Sequence, residues 1–312
     1  MSLPQFAWRG AVNWFPGHMA SAWRALERRL PAISLLVELR DARLPLTGTN
    51  PRLQTVAKHG TIVLLSKSDL TSAALVARAV ATLAQQGVVA LPINAHARPA
   101  AAAAKVIQCI RDLALQRQLS GRINVLIAGL PNVGKSTLVN ALRTSASSPH
   151  AVARNHADGS LGMPALSFRR ASAKVGDKPG VTRTLSSFQV LANPPIYVID
   201  TPGLMLPSNI DSALGLSLAA LDCLPEKQVP LEVLVHYLLH SFNARGLAAG
   251  YQKLYAMPVP TDDPQAFIQA VVNHLRRSGP AAHEWAARRI ISDFRSGKLG
   301  HLCFDDAAFI AS

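Results

Sequence analysis

Between Gly129 and Ser136 the chain reads GLPNVGKS, which has the residue types and the spacing of a phosphate-binding loop. An apolar stretch at 123–128 precedes this loop and predicts a strand, and the following residues, 135–143, predict a helix. In that context the backbone N–H groups can wrap a β-phosphate, helped by the positive end of the helix dipole. Lys135 would neutralise the β- and γ-phosphates, and the Ser136 hydroxyl would bind Mg²⁺. The neighbouring positions that we also expect to contact the nucleotide are Asn132, Val133, Gly134 and Thr137.

Two segments downstream have side chains suited to a metal ion and a γ-phosphate. Asp200 follows a predicted strand at 196–199, from where its carboxylate can reach Mg²⁺ through water, and the backbone N–H of Gly203 can approach the γ-phosphate. Between this segment and the phosphate-binding loop lies KPGVTRT at 178–184, a loop that contains Gly and Pro. We expect the Thr182 hydroxyl in it to complete the metal shell when γ-phosphate is present. Together the segments predict hydrolysis of a nucleoside triphosphate.

A fourth segment predicts that the base of the nucleotide is guanine. The residues SKSD at 66–69 directly follow a predicted strand at 61–65. A carboxylate at Asp69 can accept the N1–H and N2–H of guanine, whereas adenine offers neither donor in that arrangement, so an ATPase is the alternative that this residue opposes. Asn94-Ala95, after another predicted strand, would add a backbone N–H to the guanine O6. Two further residues expected in the base pocket are Ser66 and Lys67.

Short apolar runs and amphipathic segments alternate through the first two thirds of the chain. This alternation predicts an α/β domain over 1–206, with a mostly parallel sheet and helices on both faces. From 144 to 178 the pattern gives way to Ser, Ala, Gly, His and Arg, which predicts a mobile loop. Over 207–312 helical periodicity predicts an all-helical domain. The predicted strands, all taken as parallel, are 33–39, 61–65, 88–93, 123–128, 188–191 and 196–199, and the predicted helices are 20–30, 72–86, 101–118, 135–143, 212–224, 230–243, 263–277 and 283–296.

The composition is that of a basic globular protein. Lys and Arg number 32 against 18 Asp and Glu, a formal charge of +14, which favours polyanions, with nucleic acid first and acidic membrane second. The 49% hydrophobic content supports a buried core, and every apolar run is interrupted before the roughly 18 residues that a membrane-spanning helix needs. Three widely spaced cysteines indicate buried thiols in a reducing compartment, and neither a disulfide framework nor a zinc site.

The order of these motifs is unusual, because the base-reading segments at 66–69 and 94–95 precede the phosphate-binding loop in the chain. That order resembles a circularly permuted GTPase, and permutation leaves a sheet unchanged when the chain ends are rejoined at its surface. Three further segments are similar to motifs of the YlqF/RbgA family: WFPGHM at 14–19, DARLP at 41–45 and DFRSGKLG at 293–300. The resemblance covers nearly the whole chain.

The resemblance implies a task in assembly of the large ribosomal subunit. It implies GTP and GDP as ligands, rRNA and ribosomal proteins as partners, and rRNA contacts through the helical C-terminal domain and the basic surface of a monomer. The Ala-rich, acid-poor start of the chain favours a mitochondrial member in the matrix, peripheral on the inner membrane, with the bacterial cytoplasm as the alternative location. Because the segment from Asp200 to Gly203 leads almost directly into the helical domain, we expect loss of γ-phosphate to re-aim that domain.

The resemblance also implies how hydrolysis is arranged. The family lacks a water-orienting Gln after its Asp-x-x-Gly, and Leu204 occupies that place here, where an apolar side chain cannot align water. His18 is implied as general base or water orienter, acting beside Lys135 and Thr182. Asn132 is implied as a ligand of K⁺, which supplies the charge that an arginine finger gives in other GTPases. Hydrolysis is therefore expected to be slow alone and stimulated by ribosomal particles.

One departure from the family concerns the base pocket. Ser66 stands where the family usually has Asn, whose amide contacts the guanine N7. A single short hydroxyl in place of an amide is expected to reduce the affinity for guanine. Together with Leu204, this departure leaves open a second class of function, a nucleotide-bound scaffold on RNA or membrane with negligible turnover.

Overall fold

The computed structural model describes residues 6, 8, 27, 30–53, 56, 58–146, 186–200 and 211–305. Several sequence predictions lie outside these ranges and stay predictions. They are most of the helix at 20–30, the loop at 144–178 after its first three residues, and the site residues His18, Thr182 and Gly203.

Six strands form one sheet, and their bounds are β1 Leu35–Asp41, β2 Thr61–Ser66, β3 Val89–Pro92, β4 Ile123–Gly129, β5 Ser186–Leu191 and β6 Ile196–Asp200. Their order is β3-β2-β1-β4-β6-β5, and every neighbouring pair is parallel except β5 and β6, which are antiparallel. The connection at 192–195 is too short for the crossover that a parallel pair needs. The prediction that the strand at 188–191 is parallel is therefore wrong, whereas the mostly parallel sheet is confirmed.

Eight α-helices lie within the described ranges: α1 Ala73–Gln85, α2 Pro99–Gln116, α3 Lys135–Ala146, α4 Ser212–Ala220, α5 Leu231–Ala244, α6 Ala248–Tyr255, α7 Pro264–His274 and α8 Ala282–Arg295. The Ser72 hydroxyl accepts a hydrogen bond from Leu75 N at 3.2 Å and caps α1. The sequence prediction missed α6, a short helix whose Gly250 lies against another chain segment. A Cβ at Gly250 would be 2.0 Å from Leu299 O, so this helix depends on a close tertiary approach that no local pattern signals.

The sheet is buried on both faces, which explains why most residues of its strands are apolar; the central strand β1 also buries Glu38, Arg40 and Asp41. On one face, Val37 shares an apolar cluster with Val106 of α2 and Leu138 of α3. On the other face, Val63 shares a cluster with Ala79 of α1. Successive side chains of a strand point to opposite faces, so both faces need a covering layer of helices. The predicted α/β architecture with helices on both faces is confirmed.

Helices α4 to α8 have a core rich in aromatic side chains. The ring centroids of Phe242 and Tyr251 are 6.5 Å apart, and those of Tyr251 and Phe267 are 5.1 Å apart. The same apolar cluster contains Leu39 of β1, so these helices share one core with the sheet. The predicted boundary between residues 206 and 207 lies outside the described residues, and the division into two domains stays a prediction. Among the described helices, none combines the length and the hydropathy that crossing a membrane would need.

Candidate nucleotide-binding site

The parallel strands bring the described sequence motifs to one edge of the sheet, at the carboxyl ends of the strands. In the order of the strands this edge presents Asn94 after β3, the segment 66–69 after β2, Asp41 at the end of β1, the phosphate-binding loop after β4, and Asp200 at the end of β6. In open α/β sheets, ligands bind outside this edge. The base-reading segments therefore lie towards one end of a continuous site and the phosphate-binding segments towards the other.

The phosphate-binding loop has the backbone geometry that its glycines permit. Gly129 has a φ of 148°, and a Cβ there would lie 2.4 Å from Leu39 O of β1. Gly134 has a φ of 98°, and Asn132 is left-handed with a φ of 57°. Gly129 thus lets the loop leave β4 in close contact with β1, and Gly134 turns the chain into α3.

Lys135 is buried at the start of α3, where its Nζ donates a hydrogen bond to Leu130 O inside the loop. Burial lowers the pKa of this ammonium to about 8, against the smaller opposite effects of Cys223 and Asp200. A bound phosphate would add negative charge beside it and favour the charged form. The loop therefore holds its cation where an anionic ligand is needed to stabilise it.

The oxygen donors that we expect to hold a divalent ion are the Ser136 hydroxyl and the Asp200 carboxylate. Ser136 is half-buried in the first turn of α3, and Asp200 is buried at the end of β6, directly opposite Ile127 of β4. Hydroxyl and carboxylate oxygens are the hard ligands that Mg²⁺ prefers, and in nucleotide sites it takes few protein ligands besides phosphates and water. Within the described part of the chain, no three His, Cys, Asp or Glu side chains are grouped to hold a metal by themselves. This donor set fits Mg²⁺ that binds together with a nucleotide.

Hydrogen bonds to neighbouring strands and loops position the base-reading segment. Lys67 has a left-handed φ of 52°, and its Nζ lies 3.2 Å from Asp41 Oδ2. Ser68 Oγ donates to Ile93 O at 3.3 Å, which joins this segment to the loop after β3. Asp69 is exposed beside these contacts. Its carboxylate is thus accessible to a base.

Ser66 and Asn94 use their polar side chains for contacts inside the protein. Ser66 is buried, and its Oγ donates to Arg40 O of β1 at 3.1 Å. Asn94 Oδ1 accepts from Ala97 N at 2.9 Å, which shapes the turn that contains Ala95. The Ser66 hydroxyl donates its only proton within the sheet, so in this arrangement it has no proton to donate to a base; the reduced affinity for guanine stays a prediction.

Asp41 and Arg43 lie in the middle of this edge; the family resemblance marked their segment, 41–45, but assigned neither residue a role in the site. The Arg43 guanidinium donates from Nη2 to Asp41 Oδ2 at 2.8 Å and from Nε to Oδ1 at 2.9 Å, and both residues are buried. Burial alone would raise the pKa of Asp41, but the charges of Arg43 and Lys67 hold it well below its usual range. The ionised carboxylate therefore holds the Lys67 ammonium within the segment that is predicted to read the base. The available signal was an Asp-x-Arg pair directly after a buried strand.

Asn132 contacts a residue that the sequence did not single out. Its Nδ2 lies 2.9 Å from both the backbone O and the Oδ2 of Asp222, in the turn after α4. The adjacent Cys223 is buried, and burial raises the pKa of its thiol to about 12. No local signal could have found this contact, since 90 residues separate the two partners.

The fold and the site together define a P-loop GTPase with circularly permuted motif order. A sequence family described as "50S ribosome-binding GTPase" matches residues 124–158 and 160–250. "Mitochondrial GTPase 1" of Aedes aegypti is 30% identical over 97% of this chain and 96% of its own length. "Ribosome biogenesis GTPase A" of Bacillus cereus is 29% identical over 94% and 93%, and "Mitochondrial ribosome-associated GTPase 1" of Mus musculus is 29% identical over 94% and 90%.

Solved structures agree with this fold. GNP-bound YlqF from T. maritima superposes with a TM-score of 0.56 at 19% identity, over 91% of this chain and 97% of that one. The GDP-bound form gives a TM-score of 0.55 at 18% identity, over 90% and 98%. The chain belongs to the YlqF/RbgA family of circularly permuted GTPases, in which "Mitochondrial GTPase 1" is a relative along nearly its whole length.

Proposed function

We propose that this protein binds GTP, hydrolyses it to GDP and phosphate, and acts in assembly of the large ribosomal subunit in mitochondria. The observation that carries the proposal is the single sheet edge on which segment 66–69, Asp41, the phosphate-binding loop and Asp200 follow one another. The names of the relatives from Aedes aegypti, Mus musculus and Bacillus cereus support the ribosomal task and the mitochondrial location. The proposed partners are rRNA and proteins of the large subunit.

The proposed state is a monomer in the mitochondrial matrix, in peripheral contact with the inner membrane. The formal charge of +14 supports contact with an anionic surface of either kind, RNA or lipid. The bacterial cytoplasm is the alternative location, because the relatives include a bacterial protein.

The chain's own groups bind and orient the nucleotide. The backbone of the loop from Gly129 to Ser136 surrounds the phosphates, and Lys135 neutralises their charge. Asp69 accepts the two guanine N–H groups, which distinguishes GTP from ATP. Ser136 and Asp200 would hold Mg²⁺, which would supply neutralisation of the charge on the transferring phosphoryl group. These groups account for binding and for stabilisation of charge.

Alignment of the attacking water is assigned to the motifs that the family resemblance singled out. His18 orients the water, Thr182 completes the metal shell, and the N–H of Gly203 contacts the γ-phosphate; all three lie outside the described residues. Leu204 cannot hold water, because its side chain neither donates nor accepts a hydrogen bond. The isolated protein is therefore slow, and a ribosomal particle completes the site.

Asn132 supplies the proposed ligand for K⁺. Its Nδ2 is engaged by Asp222, and within the described part of the chain no group donates a hydrogen bond to its Oδ1. An amide oxygen is a suitable ligand for a hard cation, so the residue fits this role. The bound ion would add positive charge near the phosphates.

Gradient sedimentation of mitochondrial extract that contains the tagged full-length protein tests this proposal. With a non-hydrolysable GTP analogue the protein should sediment with a large-subunit particle, and with GDP it should remain at the top. Lys135→Ala should remain at the top in both conditions. Lys105→Ala removes an exposed lysine of α2 and should behave like the parent. A parent protein that never sediments with a large-subunit particle would show that the assembly role is wrong.

A nucleotide-bound scaffold with negligible turnover is the second candidate. The hydrogen bond from Ser66 Oγ to Arg40 O favours it, since this hydroxyl is committed within the sheet, and Leu204 supports it further. Hydrolysis measured with and without ribosomal particles, in potassium and in sodium, separates the two functions. Stimulation supports the GTPase, and turnover that stays negligible in all four conditions supports the scaffold.

A further inference from the structure

The contact between Asn132 and Asp222 continues into the helical region through one arginine. Asp222 Oδ1 lies 3.1 Å from Nη1 of Arg295, the last residue of α8. The same guanidinium donates to Ala219 O at 2.8 Å and to Ala220 O at 3.0 Å, at the carboxyl end of α4. Arg295 thus holds the end of α4 and the Asp222 carboxylate in one arrangement, where a cation is also favoured by the helix dipole.

The orientation of the Asn132 amide follows from its two partners. Both are atoms of Asp222 that accept hydrogen bonds, the backbone O and Oδ2, each 2.9 Å from Nδ2. An amide nitrogen donates two hydrogen bonds and its oxygen donates none, so the nitrogen must face Asp222. Asn132 and Asp222 are both left-handed, with φ of 57° and 64°, so the contact joins two tight turns. Oδ1 is the atom that remains for the nucleotide or its cation.

We propose that Asp222 is a positioning residue of the nucleotide site. Held by Arg295, it orients Asn132 and keeps the phosphate-binding loop in its binding geometry while α4 and α8 remain in place. The nucleotide consequences rest on the GTPase function proposed above. Because coupling between two sites is reciprocal, a shift of these helices would loosen the nucleotide, and nucleotide binding would hold the helices.

The exposure of the ion pair argues for a role in orientation more than in stability. The side chain of Asp222 is 36% exposed and that of Arg295 is 26% exposed. Ion pairs as exposed as this one contribute little to folding, since water screens the charges. Removal of the Asp222 side chain should therefore change the loop and leave the unfolding midpoint nearly unchanged.

Two variants of Asp222 and one control separate these effects. Asp222→Gly removes the side chain without backbone strain, because a φ of 64° suits glycine. Asp222→Asn keeps an acceptor for Asn132 but loses the charge that Arg295 holds. Asp262→Ala is the control, because Asn243 Nδ2 donates to Asp262 Oδ1 and to Thr261 O, both at 2.7 Å. The control breaks the same kind of contact inside the helical region, away from the phosphate-binding loop.

Hydrogen exchange of the nucleotide-free protein tests the contact without relying on GTP. The backbone amides of Leu130, Asn132, Val133 and Gly134 should exchange about threefold to tenfold faster in Asp222→Gly, which corresponds to loss of one hydrogen bond. Asp222→Asn should lie between this variant and the parent, and Asp262→Ala should match the parent. Unchanged exchange at 130–134 in Asp222→Gly overturns the proposal.

Dissociation of a fluorescent GDP, measured in potassium and in sodium, tests the consequence for the site. In potassium, the dissociation rate of GDP should rise about threefold to tenfold in Asp222→Gly, and it should equal the parent rate in Asp262→Ala. A parent that binds GDP while Asp222→Gly releases it at the parent rate overturns the positioning role and leaves the GTPase function intact. A parent that binds no guanine nucleotide contradicts the GTPase function, and hydrogen exchange alone then decides on Asp222.

Discussion

The sheet region at 30–146 and 186–200 and the helical region at 211–305 carry their charges differently. The sheet region has thirteen Lys and Arg against five Asp and Glu, a balance of +8, whereas the helical region has nine of each, a balance of zero. Since affinity for a polyanion follows the positive charge that meets its phosphates, the sheet region is the stronger candidate for RNA contact. The expected rRNA contact through the helical domain therefore has no support from net charge.

Four of the nine cations of the helical region, Arg288, Arg289, Arg295 and Lys298, form ion pairs with acids of the same region. Arg288 Nη2 lies 3.0 Å from Glu284 Oε1, and Arg289 Nε lies 2.7 Å from Asp293 Oδ2. Lys298 Nζ also contacts Asp293, at 3.2 Å. Pairing of this kind reduces the field that a polyanion would meet.

The amino-terminal edge of the sheet, opposite the nucleotide edge, shows the contrast. Among the described residues it presents three exposed cations, Lys58, Arg117 and Arg122. Lys58 Nζ donates to Pro31 O at 3.1 Å, and Arg122 lies over the ring of Tyr197 at 4.0 Å from its centroid. The described loops of this edge, which contain no Asp or Glu, are 30–34, 58–60, 86–88, 117–122 and 192–195. The sheet region thus buries charged residues at its nucleotide edge and exposes cations at its amino-terminal edge. The helical region has no net charge.

The largest effect is expected from the buried pair of the sheet region. Asp41→Asn leaves the buried Arg43 without an ionised partner, and breaking such a pair costs about 3–5 kcal/mol. Arg288→Gln breaks an exposed pair of the helical region and should cost less than about 1 kcal/mol. Urea unfolding at pH 7 measures both changes. Equal losses of unfolding free energy in the two variants would show that the ion pairs of the two regions do not differ in strength.

The pH dependence of the Asp41→Asn effect has a defined direction. The folded pKa of Asp41 lies below its usual value, so its contribution is present above about pH 4, the ordinary Asp pKa, and is lost as the pH falls towards the folded pKa. The difference in unfolding free energy between parent and variant should therefore shrink below about pH 4. A difference that grows on acidification would contradict the ionised state assigned to this carboxyl.

The next effect concerns the choice of base, which we propose depends on the sheet region alone. Asp69→Asn should weaken GTP binding about tenfold to a hundredfold, since hydrogen bonds to a charged acceptor are worth about 1.5–3 kcal/mol, and should shift preference towards xanthine nucleotides. Asp262→Asn in the helical region should leave both unchanged. Competition between GTP, XTP and ATP for a fluorescent nucleotide provides the measurement. A variant that still prefers GTP would show that the base-reading assignment is wrong, and a parent that prefers ATP would support an ATPase.

The smallest effect is expected for RNA binding. Changing all three cations of the amino-terminal edge to Gln should lower the slope of log affinity against log salt for an rRNA duplex by about 2, because each phosphate contact contributes about 0.7–0.9. The matched control changes Arg276, Arg277 and Arg288 to Gln and should lower the slope less. Fluorescence anisotropy with RNA and co-sedimentation with anionic vesicles separate the two polyanions. A larger effect from the helical control would reverse the assignment of the RNA surface.

Much of the fold could be predicted because buried strands are apolar and helices are periodic. The six strands lie within two residues of their predicted bounds. The predicted direction of β5 was wrong because a run of four residues does not indicate which strand it pairs with. Helix α6 was missed because Gly250 weakens its local preference, and its close contact with Leu299 O compensates only in the folded chain.

Part of the candidate site could also be predicted from the sequence. The loop from Gly129 to Ser136 and the segment 66–69 are continuous in the chain, so their residue types and spacing could be recognised. The contact of Lys67 with Asp41 could not be predicted, because it requires β1 and β2 to be neighbours. The hydrogen bond of Ser66 to Arg40 O depends on the same pairing.

Residue types and their spacing specify the chemistry expected of this protein: a phosphate-binding loop, a carboxylate predicted to read guanine, and an excess of positive charge. These properties depend on residue types at fixed spacing, which folding does not alter. The partners that hold those groups follow from the tertiary structure alone: Asp41 contacts Lys67, and Asp222, which Arg295 holds, contacts Asn132. The physical reason is that hydrogen bonds and ion pairs act over about 3–4 Å, a distance that sequence separation does not report.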